Sequence, residues 1–239
     1  MLINEFAHTL ELTTNQREAF LALKNYLKTF GFRYFAFTYY SGHIKSTRKL
    51  RYDCVSAALR PWHQHYLAQH YADVDRTLED NYMTTLPLFW DVYQQLEQAK
   101  NKREKRIRQE SIEFGIYQGL SIPVHGPNQD FVSLTLHQCK NETCLKNYKK
   151  YQYEWLSATH LFYHHIRRIL DLHKSATPSY KLTKREEQCL AFTAKGWRVD
   201  KIATALKITI RTVNFHIQNA NKKLGVNNKY QAMYKYFNG

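Results

Sequence analysis

Apolar side chains at Phe20, Leu23, Leu27 and Phe30 recur every three or four positions, marking one face of a helix. Thr13 with Gln16 supplies a capping-box pattern at its start, and Gly31 stops it. Residues 32–40 are aromatic and predict a strand, which the basic turn at 43–49 returns through 50–55. Pro61 stands where a helix begins, with Trp62, Tyr66 and Gln69 or His70 on one side. Residues 92–114 carry a single long helical pattern. The apolar runs 120–124 and 131–137 flank a turn of hairpin chemistry at 125–130. Tyr151, Trp155, Ala158, Phe162, Ile166 and Ile169 then mark a closing helix, and strands flanked by helices at both ends predict an α/β/α layer sandwich.

The apolar period lapses over DLHKSATPSYK, residues 171–181, and resumes in a different form. Thr183 and Glu186 form a capping box for a helix that buries Leu190 and ends at Gly196. Ile202, Ala203 and Leu206 mark a second helix. After a tight turn at Lys207 and Ile208, Thr209 caps a third, whose Val213, Ile217, Ala220 and Leu224 form the buried stripe. Asn228 with Gln231 caps a short fourth helix through Tyr230, Met233 and Tyr236, a candidate dimer surface. The fold class is therefore α+β. A sandwich domain at 1–172 is joined by a linker at 173–181 to a four-helix helix-turn-helix domain at 182–239.

Charge gives the small domain a partner. The chain is 239 residues long with a formal net charge of +15, and residues 179–239 hold 12 Lys and Arg against 3 Asp and Glu. A basic helix-turn-helix points to double-stranded DNA. With the third helix packed through its stripe, Arg211, Asn214, Gln218 and Asn221 project outward, flanked by Thr209, Thr212, Lys222 and Lys223. Asn and Gln pair with adenine edges and Arg with guanine. The basic run at Lys100, Lys102, Arg103, Lys105, Arg106 and Arg108 is read as a solvated helix face in preference to a second nucleic-acid contact. Cys54, Cys139, Cys144 and Cys189 lack CxxC spacing and are read as reduced thiols of a cytoplasmic protein. No signal peptide or membrane span is evident, so neither secretion nor insertion is expected.

The stretch from Leu182 to Met233 carries L-T-x-R-E, G, I-A, T-V-x-x-H and K-L-G-V, and resembles the DNA-binding domain of LuxR-type regulators. By that resemblance Glu186, Leu190 and Gly196 are framework, and Asn214 and Gln218 stand where base-reading side chains lie. Arg198, Lys201 and Lys207 depart from the usual capping residue, Glu and Gly. A non-Gly residue at positive φ in the turn costs about 1 kcal/mol. Residues 58–137 resemble the autoinducer-binding domain of quorum-sensing LuxR-type regulators through W-x3-Y-x4-Y-x3-D (Trp62, Tyr66, Tyr71, Asp75), LPLFW ending at Trp90, and GLSIPVHG from Gly119 to Gly126. The resemblance implies a pocket for an N-acyl homoserine lactone or related small signal, with Trp62 donating to the ring carbonyl and Asp75 accepting from the amide N–H. Tyr66 and Trp90 would form walls, and Ser121 or Thr135 a hydroxyl contact. Arg76 replaces a usual Pro and Ala58 a usual Tyr. A homodimer and RNA polymerase are the further partners implied; no cofactor or metal is.

Two alternatives stand beside the ligand-responsive regulator. One is a ligand-independent orphan factor whose N-terminal domain serves only for dimerisation. The other is a lactone-hydrolysing enzyme, which the residues disfavour. His63-Gln64-His65 opens like an H-x-H-x-D-H metal motif, but Tyr66 and Leu67 follow, no G-x-S-x-G occurs, and the adjacent His164 and His165 cannot chelate from one helix face.

Overall fold

The computed structural model describes residues 2–42, 48–139, 143–170 and 182–238. The chain divides into two compact units, Met1–His173 and Lys174–Gly239. The expected linker at 173–181 lies outside the described residues.

The first unit is built on an antiparallel sheet of β1 (Tyr34–Ser41), β2 (Lys49–Val55), β3 (Leu88–Asp91), β4 (Ile116–His125) and β5 (Phe131–Cys139), in the order β2-β1-β5-β4-β3. Side chains alternate between its faces with period two. Phe35, Phe37, Tyr39, Leu120, Ile122, Val124, Val132, Leu134 and Leu136 join one core with Phe6, Leu23, Leu27, Trp155 and Phe162. Those partners come from α1 (Ile3–Glu11), α2 (Gln16–Lys28) and α7 (Tyr148–Ile169). Ala36 and Ile116 face the other way and pack with Leu59, Trp62, Tyr71, Trp90, Val92 and Ile107. This second layer is made by α3 (Arg60–Ala68), a 3-10 turn at Tyr71–Asp73, α4 (Arg76–Tyr82), α5 (Val92–Glu97) and α6 (Lys102–Glu113). The layer order is α/β/α, as the sequence predicts.

Several boundaries differ from the sequence pattern. Asn15, not Thr13, caps α2, its Oδ1 accepting from the Glu18 N–H at 3.0 Å. The helix expected over 92–114 is two, because Asn101 caps α6 afresh by accepting from the Glu104 N–H while the Glu104 carboxylate takes the Lys100 N–H. Gln69 and His70 lie beyond the end of α3, His70 with φ of 52°.

Both glycines bounding the GLSIPVHG motif make room for an aromatic ring. A Cβ on Gly119 would stand 1.9 Å from the Trp90 indole, and one on Gly126 would stand 1.9 Å from the Tyr163 hydroxyl. That hydroxyl and the Tyr39 hydroxyl both donate to buried Asp130, at 2.8 and 2.6 Å. The motif thus seats one ring on each side of the sheet.

The second unit comprises α8 (Lys184–Ala194), α9 (Val199–Leu206), α10 (Ile210–Leu224) and α11 (Lys229–Asn238). Its core joins Cys189, Ile202, Ala203, Leu206, Val213 and Ile217, continued by Leu190, Ala220, Leu224 and Ala232. The Thr183–Glu186 capping box forms in full. Arg198 caps α9 with no side-chain hydrogen bond, and Lys207 adopts φ of 53° in the turn before α10. Arg198 thus leaves the start of α9 without a side-chain cap, whereas Lys207 closes its end in the left-handed conformation, with the Lys207 N–H donating to Thr204 O and the Ile208 N–H to Ala203 O.

Candidate ligand cavity and nucleic-acid face

A cavity of about 110 Å³ lies between the sheet and helices α3, α4 and α6. Of the residues expected to hold a ligand, Trp62, Tyr66, Asp75, Trp90, Ser121 and Thr135 line it, and Tyr71 does not. The Tyr71 ring sits behind Trp62 and Tyr66, at 6.4 and 5.9 Å between centroids, and its hydroxyl donates to Glu110. Trp90 and Ser121 satisfy one another through a 3.0 Å bond from the indole N–H to the hydroxyl. The Trp62 indole N–H makes no hydrogen bond among the described residues.

Asp75 is held by three donors. Its Oδ1 caps α4 by accepting from the Thr77 N–H at 3.0 Å and takes Arg108 Nη2 at 2.7 Å, while its Oδ2 takes the Tyr66 hydroxyl at 2.9 Å. Arg108 also donates to Thr77 Oγ1 at 2.8 Å. The Arg108 and Asp75 side chains are only 9% and 12% exposed, so this ion pair lies in the cavity wall. The expectation of a solvated face thus fails at Arg108. It shares the inward side of α6 with Ile107 and Ser111, all three buried. Burial and the neighbouring Asp75 charge push the Tyr66 hydroxyl well above the usual phenol range, so it stays a donor.

The sheet wall of the cavity is polar. Thr38, Ser121, Ser133, Thr135 and His137 all face it. Asn81 reaches it from α4, its Nδ2 donating to Ser133 Oγ at 2.8 Å, and the Ser133 and Thr135 hydroxyls lie 3.3 Å apart. Desolvation, with a smaller contribution from His63, lowers the His137 pKa to about 3, so the ring is neutral. Asn81, Arg108, Ser133 and His137 were not expected here from sequence. The period-two placement of Ser133, Thr135 and His137 opposite Val132, Leu134 and Leu136 is the signal that marks the strand residues.

The paired histidines of α3 do not form a metal site. His63 Nε2 meets Asp53 at 2.7 Å and His65 Nε2 meets Glu110 at 2.6 Å, two separate carboxylates. Burial raises the Glu110 pKa, but hydrogen bonds from Tyr71, Arg106 and His65 outweigh it and carry the carboxyl down to about 2. Among the described residues no group of three ligands is placed to hold a metal, and no helix is long and apolar enough to cross a membrane.

On α10, Arg211, Asn214, Gln218 and Lys222 are exposed opposite or beside the buried stripe. Two expected members are not free to join them. Lys223 Nζ donates to Glu186 Oε2 at 2.8 Å, tying α10 to α8, and Asn221 is half-buried with its Oδ1 enclosed. Burial works against the Glu186 charge, yet the bonds from Lys223 and Thr183 prevail and lower its pKa. The Thr209 hydroxyl accepts from the Thr212 N–H at 3.1 Å as the helix cap and lies 2.8 Å from the Thr212 hydroxyl. Phe215, 57% exposed, was missed. At 100° per residue it falls next to Lys222, on the side away from Arg211 and directly opposite the stripe.

Residues 15–164 match the family described as "Autoinducer binding domain", and residues 180–235 match "Bacterial regulatory proteins, luxR family". The chain is a member of the LuxR family. The transcriptional activator protein VanR of Vibrio anguillarum is 33% identical over 174 residues, covering 73% of this chain and 70% of VanR. The transcriptional activator protein AnoR of Acinetobacter nosocomialis is 30% identical over 226 residues, covering 91% and 89%. The crystal structure of Escherichia coli SdiA shares the fold at 18% identity with a TM-score of 0.72, covering 99% of this chain and 95% of that one. SdiA in complex with octanoyl-rac-glycerol gives 19% and 0.70, covering 99% and 93%. The homologues of this LuxR-type chain are transcriptional regulators, not enzymes. It joins an autoinducer-binding domain in the first unit to a LuxR-family DNA-binding domain in the second, the two parts of a ligand-responsive transcriptional regulator.

Proposed function

We propose that this LuxR-type regulator senses an N-acyl homoserine lactone or a close relative and acts in the cytoplasm as a homodimer, needing no further cofactor. The observation that carries the reading is the Trp62 indole N–H, without a partner among the described residues, on the same cavity as the Asp75 carboxylate. A lactone carbonyl accepts from the first and an amide N–H donates to the second. Asp75 has spent three acceptor positions on Tyr66, Thr77 and Arg108, and a carboxylate has about four. Tyr66 and Trp90 serve as walls. Ligand binding favours the dimer by mass action, and two α10 helices then enter major grooves about 34–36 Å apart on an imperfect palindrome, where RNA polymerase is the next partner.

The internal satisfaction of Asp75 favours one second reading. A pocket whose charge is already paired folds without a ligand, and the protein then binds DNA unconditionally. Full-length protein made in cells without acyl-lactone synthesis, and in the same cells fed a lactone panel, separates the two. DNA binding by anisotropy and mass spectrometry of extracted small molecules are the measurements. A co-purifying lactone that raises binding is expected, whereas equal binding under both conditions establishes the ligand-independent reading. On selected operators, Asn214→Ala and Gln218→Ala each relax preference by about 1–3 kcal/mol at one base pair. Lys222→Ala weakens all sequences alike and lowers the salt slope. Uniform losses from the first two contradict their base-reading role.

A further inference from the structure

Asn81 is 1% exposed and lines the cavity, yet its amide is only half used. Nδ2 donates to Ser133 Oγ, and the buried Oδ1 has no partner among the described residues. Exchanging O and N leaves one amide atom unmatched either way, because Ser133 meets only one end. Buried polar groups in folded proteins are almost always paired, so a lone one in a ligand cavity marks a place where a ligand atom belongs. His137, 7% exposed, repeats the pattern at the other end of the same wall, with Nδ1 enclosed and without a partner among the described residues. Ser133 and His137 are four residues apart on β5, about 13 Å along the strand. A plain alkyl chain laid along this wall would cover Asn81, Ser133, Thr135 and His137 without satisfying any of them.

We propose that the signal carries, besides its head group, a hydroxyl on its acyl tail that donates to the unpartnered Oδ1 of Asn81. The assignment rests on the acyl-signal reading above. A hydroxyl is specified because it donates to the open Oδ1 when Nδ2 meets Ser133 Oγ, and its oxygen accepts from the amide nitrogen in the exchanged orientation, whereas an oxo group can only accept. It is a single subsite on α4, six residues beyond the Asp75 that caps the same helix.

The test compares acyl homoserine lactones of one chain length, unsubstituted, with a 3-oxo group, or with one hydroxyl placed in turn at each carbon from the third to the sixth. Binding to the full-length protein is measured by calorimetry, with a parallel monoacylglycerol series. One hydroxyl isomer is expected to bind about tenfold tighter than its unsubstituted parent, the worth of one buried hydrogen bond. Asn81→Leu is expected to bring the hydroxyl isomer and its parent to equal affinity, and a cooperative unfolding transition shows that the variant folds. Asn81→Met serves the same purpose if leucine is not accommodated. Equal binding of every hydroxyl isomer and its parent, a preference for the oxo compound, or a gain that survives in both variants overturns the subsite and leaves the lactone reading standing. A hydroxyl gain confined to the glycerol series, with no lactone bound, overturns the lactone head group and supports the subsite.

Discussion

Replacing Arg108 by methionine removes a cation from a wall where its carboxylate partner has little access to water. The two side chains are 9% and 12% exposed and meet at 2.7 Å. Breaking a buried ion pair by deleting one partner costs about 3–5 kcal/mol, because the remaining charge is left desolvated. Asp75 keeps the Tyr66 hydroxyl and the Thr77 N–H, so the loss belongs at the lower end, about 3 kcal/mol. For a unit of this size each kcal/mol moves the midpoint about 2–4 °C, giving a fall of about 6–12 °C. Asp75→Asn alone leaves Arg108 with the amide oxygen and Thr77 Oγ1, and strands the opposite charge. The double variant strands none. It is therefore expected to be more stable than the sum of the single losses by about 2 kcal/mol. Thermal unfolding of the Trp197→Phe background, followed by tryptophan fluorescence, reports on this unit because the remaining Trp62, Trp90 and Trp155 lie in it and Trp197 lies in the other. Losses that add within about 0.5 kcal/mol would refute the argument, since they would mean Asp75 does not depend on Arg108 for its charge.

Two further predictions concern the same cavity. Gly119→Ala places a methyl 1.9 Å from the Trp90 indole, so the ring must leave its seat and its bond to Ser121. Overpacking of this kind costs about 1–3 kcal/mol, and an unchanged unfolding midpoint would show that the strand yields instead. For His137, the folded value of about 3 lies below the ordinary 6.5, so between these pH values the unfolded chain binds the extra proton. Stability is therefore intact above about pH 6.5 and falls by up to about 1.4 kcal/mol per pH unit as acid is added toward pH 3. His137→Gln should flatten that slope in urea unfolding at pH 7, 5 and 4, and an identical acid slope would assign the loss to other groups.

What the sequence disclosed and what it hid follow from the range of the forces involved. Period-two and period-3.6 patterns are local, so β5, α7 and the α10 stripe could be read directly from their spacing. The capping boxes are equally local: Thr183 with Glu186 was read correctly. Asn101 with Glu104, an equivalent pairing, was overlooked inside a charged run and cost the break between α5 and α6. The two glycines of GLSIPVHG were visible as a motif. Their cause was not, because the rings they admit stand 29 residues before Gly119 and 37 after Gly126.

The charged side chains show the limit most sharply. The α10 stripe places Lys223 beside the DNA-facing residues, yet Glu186, 37 positions away, binds its ammonium. Arg108 was counted with solvent because it closes a basic run, yet Asp75, 33 positions away, holds it in the cavity wall. In both cases the local pattern gave the wrong environment, and the decisive partner was a distant carboxylate, Glu186 on α8 and the α4 cap Asp75. Helical spacing would have flagged Arg108: it lies one position from Ile107 and three from Ser111, on the face that α6 buries. A charge on a buried face requires a counter-charge. The same inward face therefore predicts both that Arg108 has a partner and that the partner lines the ligand site, which is why the Arg108 and Asp75 cycle tests the cavity and the reading of the sequence together.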